Sequence, residues 1–340
     1  MAKERIAYID FMKGLCILLI VMGHVEGFSY DSIMPGLNYA LKSFRIPMYF
    51  FLSGLFFKTY GEFSEFLRKK VNNLIITLLF FHFVCSFLRI PLVAVVHHYR
   101  PDIDISFPIS SIIPPFFGRF WYSAGALWFL VALFGVNMLY YLIQSSFGKL
   151  GRVLAVLCFS ILGYILMKYK IELPFEFDIS LVALPYFMLG VIVKELGLLK
   201  ASRYDKYGML IIVPSSFFVY YFSADINLLY QGVPNYFMLY LIPFIAILSL
   251  FWFCKNLKYV PLICHYGRYS IILLGTHQIL IGYIWAFLHG FIDVQSNYMV
   301  LITIALVLLI ELAIIKILVR YFPRFTAQKD FFLPGWKISE

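Results

Sequence analysis

The chain has 340 residues, of which 62% are hydrophobic and only 14% charged, with a formal net charge of +10. A soluble domain runs at roughly 45–50% apolar and about 25% charged, so these proportions exclude a soluble enzyme and indicate an integral membrane protein. The basic excess sits in short connections between apolar runs, which argues against nucleic acid as a partner.

Apolar runs of spanning length are predicted at about 9–27, 37–57, 71–96, 121–144, 152–168, 179–198, 207–223, 234–254, 262–288 and 297–319. On the criterion of about twenty residues per span this is an all-α, polytopic bundle of about ten transmembrane helices. It forms one domain over residues 1–325, followed by a short tail at 326–340. Pro91, Pro185, Pro214 and Pro243 are expected to kink or end turns. Residues 97–120 are too polar and proline-rich to span, and read as an ordered loop or re-entrant cap. The opening "MAKERIAYID" precedes no small-residue cleavage site, so the first helix is expected to stay in the mature protein. Five cysteines lie in or beside apolar runs without ligand-like or disulfide-like spacing, and no metal is expected.

Alternate connections are basic. They hold Lys3 and Arg5; Lys58, Arg68, Lys69 and Lys70; Lys149 and Arg152; Lys194, Lys200, Arg203 and Lys206; Lys255 and Lys258; and finally Arg320, Arg324, Lys329 and Lys337. The opposite connections carry only Lys42, Arg100, Arg119, Lys168 and Lys170. By the positive-inside rule both termini are cytoplasmic, which requires an even number of spans.

A short set of ionisable residues remains inside the spans: Asp10, Lys13, His24, Arg45, His82, Arg89, Arg268, His277, Glu311 and Lys316. Such groups in hydrocarbon are costly and mark functional sites by default. Lys13 and His24 are eleven residues apart, so on a helix they are offset by only about 20° and separated by roughly 16 Å. Asp10 precedes Lys13 by three residues, on the same stripe. Counting helix rise from the basic ends places His24, Arg45, His277, His82 and Glu311 in one slab, roughly 17–22 Å deep. Structural roles compete for several of them: an interfacial ion pair for Asp10 and Lys13, a satisfied core position for His82, a helix–helix clamp for Glu311 with Lys316, and outward snorkelling for Arg89. For His24 and Arg45 such readings explain neither the depth nor the company.

Four segments then match a known pattern. "DFMKGLCILLIVMGH" (10–24), "FRIPMYFFLSGLFF" (44–57), "ALWFLVALF" (126–134) and "YGRYSIILLGTHQIL" (266–280) resemble, in order, the motifs of the acyltransferase-3 family of membrane O-acyltransferases. Within it the chain is similar to short sugar O-acetyltransferases of the fucose 4-O-acetylase-like group. It departs from them in carrying Lys13 where many members have Arg, and Arg45 where the sugar acetylases often have His.

The resemblance implies acetyl-CoA, or another short acyl-CoA, as cytoplasmic donor, and a glycan or lipid-linked sugar as acceptor at the inner membrane. On that footing Lys13, Arg268 and Lys316 are expected at a mouth for the donor phosphates. His24 would be the general base, Arg45 the oxyanion or acceptor-phosphate contact, and Asp10 their catalytic companion in the first motif. Trp128, His277, Glu311 and His82 would line the acceptor side. Pro47 and Ser53–Gly54 would let helix 2 approach the donor closely. A secondary transporter or flippase, whose midplane site also holds buried polar groups, is the alternative from another class.

Overall fold

The computed structural model describes residues 6–25, 36–99, 125–200, 205–222, 226, 228, 232, 235–257, 260–288 and 297–332. These form α1 (Ala7–Met22), α2 (Leu37–Leu55), α3 (Phe63–Lys70), α4 (Thr77–Tyr99), α5 (Trp128–Ser146) and α6 (Lys149–Lys168). The series continues with α7 (Phe177–Glu195), α8 (Gly208–Phe222), α9 (Tyr236–Asn256), α10 (Pro261–Arg268), α11 (Ser270–Leu288) and α12 (Asn297–Tyr321). Most of the expected loop at 97–120, together with Lys3, Arg5, Arg100, Arg119, Arg203, Lys258 and Lys337, lies outside the described residues.

Among the described residues seven helical runs are long and apolar enough to cross a membrane, so the protein is a multi-pass membrane protein. They are Phe63–Tyr99, Gly125–Ser146, Lys149–Lys168, Pro174–Glu195, Tyr236–Asn256, Ser270–Leu288 and Tyr298–Tyr321. Three other predicted positions are helical but fall short of that criterion: α1 has 16 residues, α8 has 15, and α2 carries Lys42 and Arg45. On α6, Leu150, Leu154, Leu157, Ile161 and Ile165 are all exposed, an apolar stripe suited to lipid.

The predicted span at 262–288 is two helices, α10 and α11, broken at Tyr269. Backbone packing explains the break. Gly14 of α1 and Gly267 of α10 lie so close that a Cβ at Gly14 would fall into the carbonyl of Ile263, and one at Gly267 into that of Asp10. Small residues that allow such approach are the usual means of joining helices in lipid. The α2–α7 crossing is built likewise, with Gly54 against the Phe187 carbonyl and Gly190 against that of Phe51. Gly54 therefore serves helix packing rather than approach to a donor.

Between α3 and α4 the chain is a π-helix, Val71–Ile76, inside one continuous run of 37 residues. Single turns of this kind gather at functional sites. Past α12 the tail folds back: Phe325 stacks on Phe80 of α4 at 5.2 Å, and the Phe331 amide donates to Asn72 Oδ1 at 2.6 Å.

Candidate active site

α1 ends at Met22, and His24 stands in the turn just beyond. Its Nδ1 is 2.7 Å from the carbonyl of Ile20, four residues back. A carbonyl only accepts, so Nδ1 carries the hydrogen and Nε2 is left as the basic nitrogen. His277, inside α11, repeats the arrangement with the Leu273 carbonyl at 2.6 Å. The two rings meet edge to face, centroids 5.1 Å apart and planes at 75°. His24 is exposed, whereas His277 is completely buried and its Nε2 has no hydrogen-bond partner among the described residues. Leaving a buried acceptor unsatisfied costs about 1–3 kcal/mol.

Arg45 joins this pair from α2. Its Nη1 donates to the Leu19 carbonyl at 3.3 Å, and a Cβ at Gly23 would collide with the same nitrogen. Glycine at 23 thus makes room for the guanidinium beside His24. Three groups from three helices converge here, at one level of the bundle.

Beneath them lies a cavity of about 290 Å³. Lys13, Ser53, Lys70, Asn73, Asn137 and Ser270 supply its polar wall, and Ile20 and Leu274 close one end. Those two end residues are, respectively, the one whose carbonyl holds His24 and the neighbour of the one that holds His277. Lys13 sits over the ring of Phe56, 4.7 Å from its centroid, and its carbonyl accepts from the Tyr49 hydroxyl at 3.0 Å. A cationic entrance about 16 Å of helix rise from a histidine pair suits a long thioester arm with an anionic end.

Residues 6–317 match the acyltransferase domain to which the four sequence motifs point. The chain belongs to the acyltransferase-3 family. No curated protein and no solved structure matches it. The protein is thus a membrane acyltransferase.

In this acyltransferase the expected residues divide. His24, Arg45 and His277 come together, and Lys13 stands in the cavity below. Asp10 does not share the Lys13 face. It lines a separate recess with Cys264, His265 and Arg268, because the 60° by which three residues fall short of a full turn is enough to turn it towards α10. Arg268 therefore faces away from the Lys13 cavity, exposed and packed on Tyr269 at 5.4 Å. Lys316 is exposed on α12 and is not part of that wall either.

Glu311 is buried and accepts from the Thr276 hydroxyl at 2.7 Å, one residue from His277. It makes no clamp with Lys316, which five residues later points to the other side of α12. His82 is buried on α4, its ring edge-on to Phe83 at 5.6 Å. Trp128 is buried at the start of α5, and its neighbour Phe129, not Trp128, lines the cavity.

Lys70 and Asn73 are the residues that sequence reasoning missed. Lys70 counts as a loop cation in the charge pattern, yet the continuous α3–π–α4 run carries it into the cavity wall. The signal was available: a lysine and a polar pair, "KVNN", at the head of an apolar run. Outside the spans, burial first and the charge of Arg268 second hold the His265 imidazole below its ordinary value.

Proposed function

We propose that the protein moves an acetyl, or other short acyl, group from cytoplasmic acyl-CoA to a hydroxyl of a cell-surface or lipid-linked sugar, across the inner membrane. The observation that carries this reading is the alignment of the Lys13–Lys70 cavity with the His24–Arg45–His277 cluster, which lies about one helical turn beyond Ile20 and Leu274 at the cavity's end. At about 290 Å³ the cavity is near the lower bound, roughly 300 Å³, for a small-molecule site. That room suits a pantetheine arm, with the nucleotide and its phosphates left at the basic mouth, where Lys70 and Lys13 replace the expected Arg268 and Lys316.

His24 Nε2 takes the hydroxyl proton as the hydroxyl oxygen bonds the thioester carbonyl carbon. Arg45 balances the charge that develops on the carbonyl oxygen. The carbon–sulfur bond then breaks, and the proton returns to sulfur. His24 stands at the acceptor side with its Nδ1–H given to the Ile20 carbonyl, which leaves Nε2 as the nitrogen that meets the hydroxyl.

The test is release of free thiol from acetyl-CoA by purified protein supplied with cell-envelope glycan. His24→Ala is expected to lower turnover by about 10²–10⁴-fold with normal membrane insertion. Undiminished turnover in that variant removes the base assignment, and glycan-dependent uptake without thiol release favours a carrier.

A further inference from the structure

The geometry points to His277 as a positioning residue that holds, between transfers, the proton His24 takes from the acceptor. This rests on the reading of His24 as base. Once His24 has accepted at Nε2, it carries hydrogens on both nitrogens. Its Nδ1–H is already given to the Ile20 carbonyl. Its Nε2–H loses its acceptor as the hydroxyl oxygen becomes an ester oxygen, and the sulfur is not yet a base until the carbon–sulfur bond breaks. A second acceptor bridges that interval.

His277 Nε2 has the properties required. Its tautomer is fixed by the Leu273 carbonyl, so Nε2 bears a lone pair, and that atom is fully buried without a partner among the described residues. The rings are in edge-to-face contact with centroids 5.1 Å apart, and no hydrogen bond joins the two Nε2 atoms at rest, so a turn of the His24 ring is what brings its Nε2–H to the His277 lone pair. The exposed His24 has room to turn, whereas His277 is held inside α11. Glu311 Oε2 is likewise buried without a partner among the described residues, and the remaining ionisable groups near this part of α11 are engaged elsewhere. Arg45 of α2 is a cation and accepts nothing. The Cys85 thiol of α4 donates to the Gly275 carbonyl at 3.1 Å. Glu311 of α12 is turned to Thr276, and His82 of α4 has a partner of its own.

The proton balance is closed. One proton leaves the acceptor oxygen for His24 Nε2, is shared with His277 Nε2 while the carbon–oxygen bond forms, and returns through His24 to the departing sulfur. His277 acts through His24 and touches neither substrate.

The experiment is steady-state thiol release by full-length protein in nanodiscs, comparing His277→Gln with His277→Phe. Glutamine keeps an acceptor oxygen, and phenylalanine keeps only the ring. Phenylalanine is expected to lower kcat by about 30-fold with both KM values within about twofold, and glutamine to recover most of that loss.

Full kcat in His277→Phe overturns the proposal, as does a loss confined to the acceptor KM or an equal loss in both variants. Should the phenylalanine variant not fold, His277→Leu takes its place: the same loss of kcat, largely recovered by glutamine, is expected, and full kcat in the leucine variant overturns the proposal. Turnover surviving His24→Ala defeats the base reading itself, whereas an inactive His24→Ala beside a fully active His277→Phe defeats only the role given to His277.

Discussion

Arg45 of α2 caps the end of α1: its guanidinium donates to the Leu19 carbonyl at 3.3 Å, five residues before His24. The Leu19 carbonyl already accepts the Gly23 N–H at 3.2 Å, so the guanidinium adds a second bond at the negative end of the α1 dipole, where a cation is favoured. The same side chain therefore fixes the turn that presents the imidazole and supplies charge beside it.

Arg45→Ala is expected to lower kcat by at least about 10²-fold, since it removes both the charge and the support of the turn. Arg45→Lys should recover little of it, because an ammonium lacks the planar fork that reaches the carbonyl and the site together. Thiol release under saturating donor measures both. A lysine variant close to wild type would show that charge alone suffices.

Lys70→Ala is expected to raise the donor KM by about tenfold, equivalent to about 1.4 kcal/mol, with kcat nearly unchanged. Lys13→Ala should behave alike, and the double variant should show the sum, both lysines lining one cavity. Arg268→Ala and Lys316→Ala serve as controls and leave the donor KM unaltered, as befits side chains outside that wall. Titration with acetyl-CoA at fixed acceptor separates these outcomes.

Gly54→Ala is expected to destabilise the protein by about 1–3 kcal/mol, because the added methyl meets the Phe187 backbone, which has no side-chain freedom to yield. Gly190→Ala should match it from the other side of the same crossing. Gly148→Ala, whose Cβ meets nothing within 4 Å, should be neutral or better. Thermal unfolding in detergent, followed by tryptophan emission, provides the comparison.

Acidification should weaken the α1–α10 junction through His265. Its imidazole is held below the ordinary histidine value, by burial and then by Arg268, so the unfolded chain binds that proton more readily than the folded one. Stability is then unaffected above the unfolded value, about 6.5, and falls as pH drops from there towards the folded value. His265→Gln should flatten this slope below about pH 6.5 while leaving the plateau at higher pH in place. An unchanged slope in the variant would assign the acid sensitivity to another group.

Much of this architecture is legible in the sequence. Hydropathy marks all of the helices that bear on the site, and helix rise alone puts His24, Arg45 and His277 at one depth. Those inferences rest on properties local to one helix or on one shared reference plane. What fails is azimuth. Asp10 and Lys13, three residues apart, belong to different cavities, because where the boundary between two recesses falls around α1 depends on α10. Arg268 and Lys316 fail for the same reason, since depth counted along a helix leaves their bearing around it open. Lys70 escaped notice because a charge at the head of a span reads as a loop residue until the π-helical run shows it continuing inward. The Gly14–Gly267 contact, which breaks the predicted long helix at Tyr269, pairs residues over 250 positions apart and leaves no local trace.

The returning segment after α12 has a consequence for how the Lys13–Lys70 cavity keeps its shape. Asn72 grips the Phe331 amide with its carbonyl oxygen and offers its amide nitrogen to Asn73 Oδ1 at 2.8 Å, so the segment around Phe331 and a residue of the cavity wall hang from one side chain. Clipping the polypeptide soon after Tyr321 would strip away that hook and the Phe80–Phe325 stack together. Loosening would then spread to the wall at Asn73 from a cut made far away along the chain.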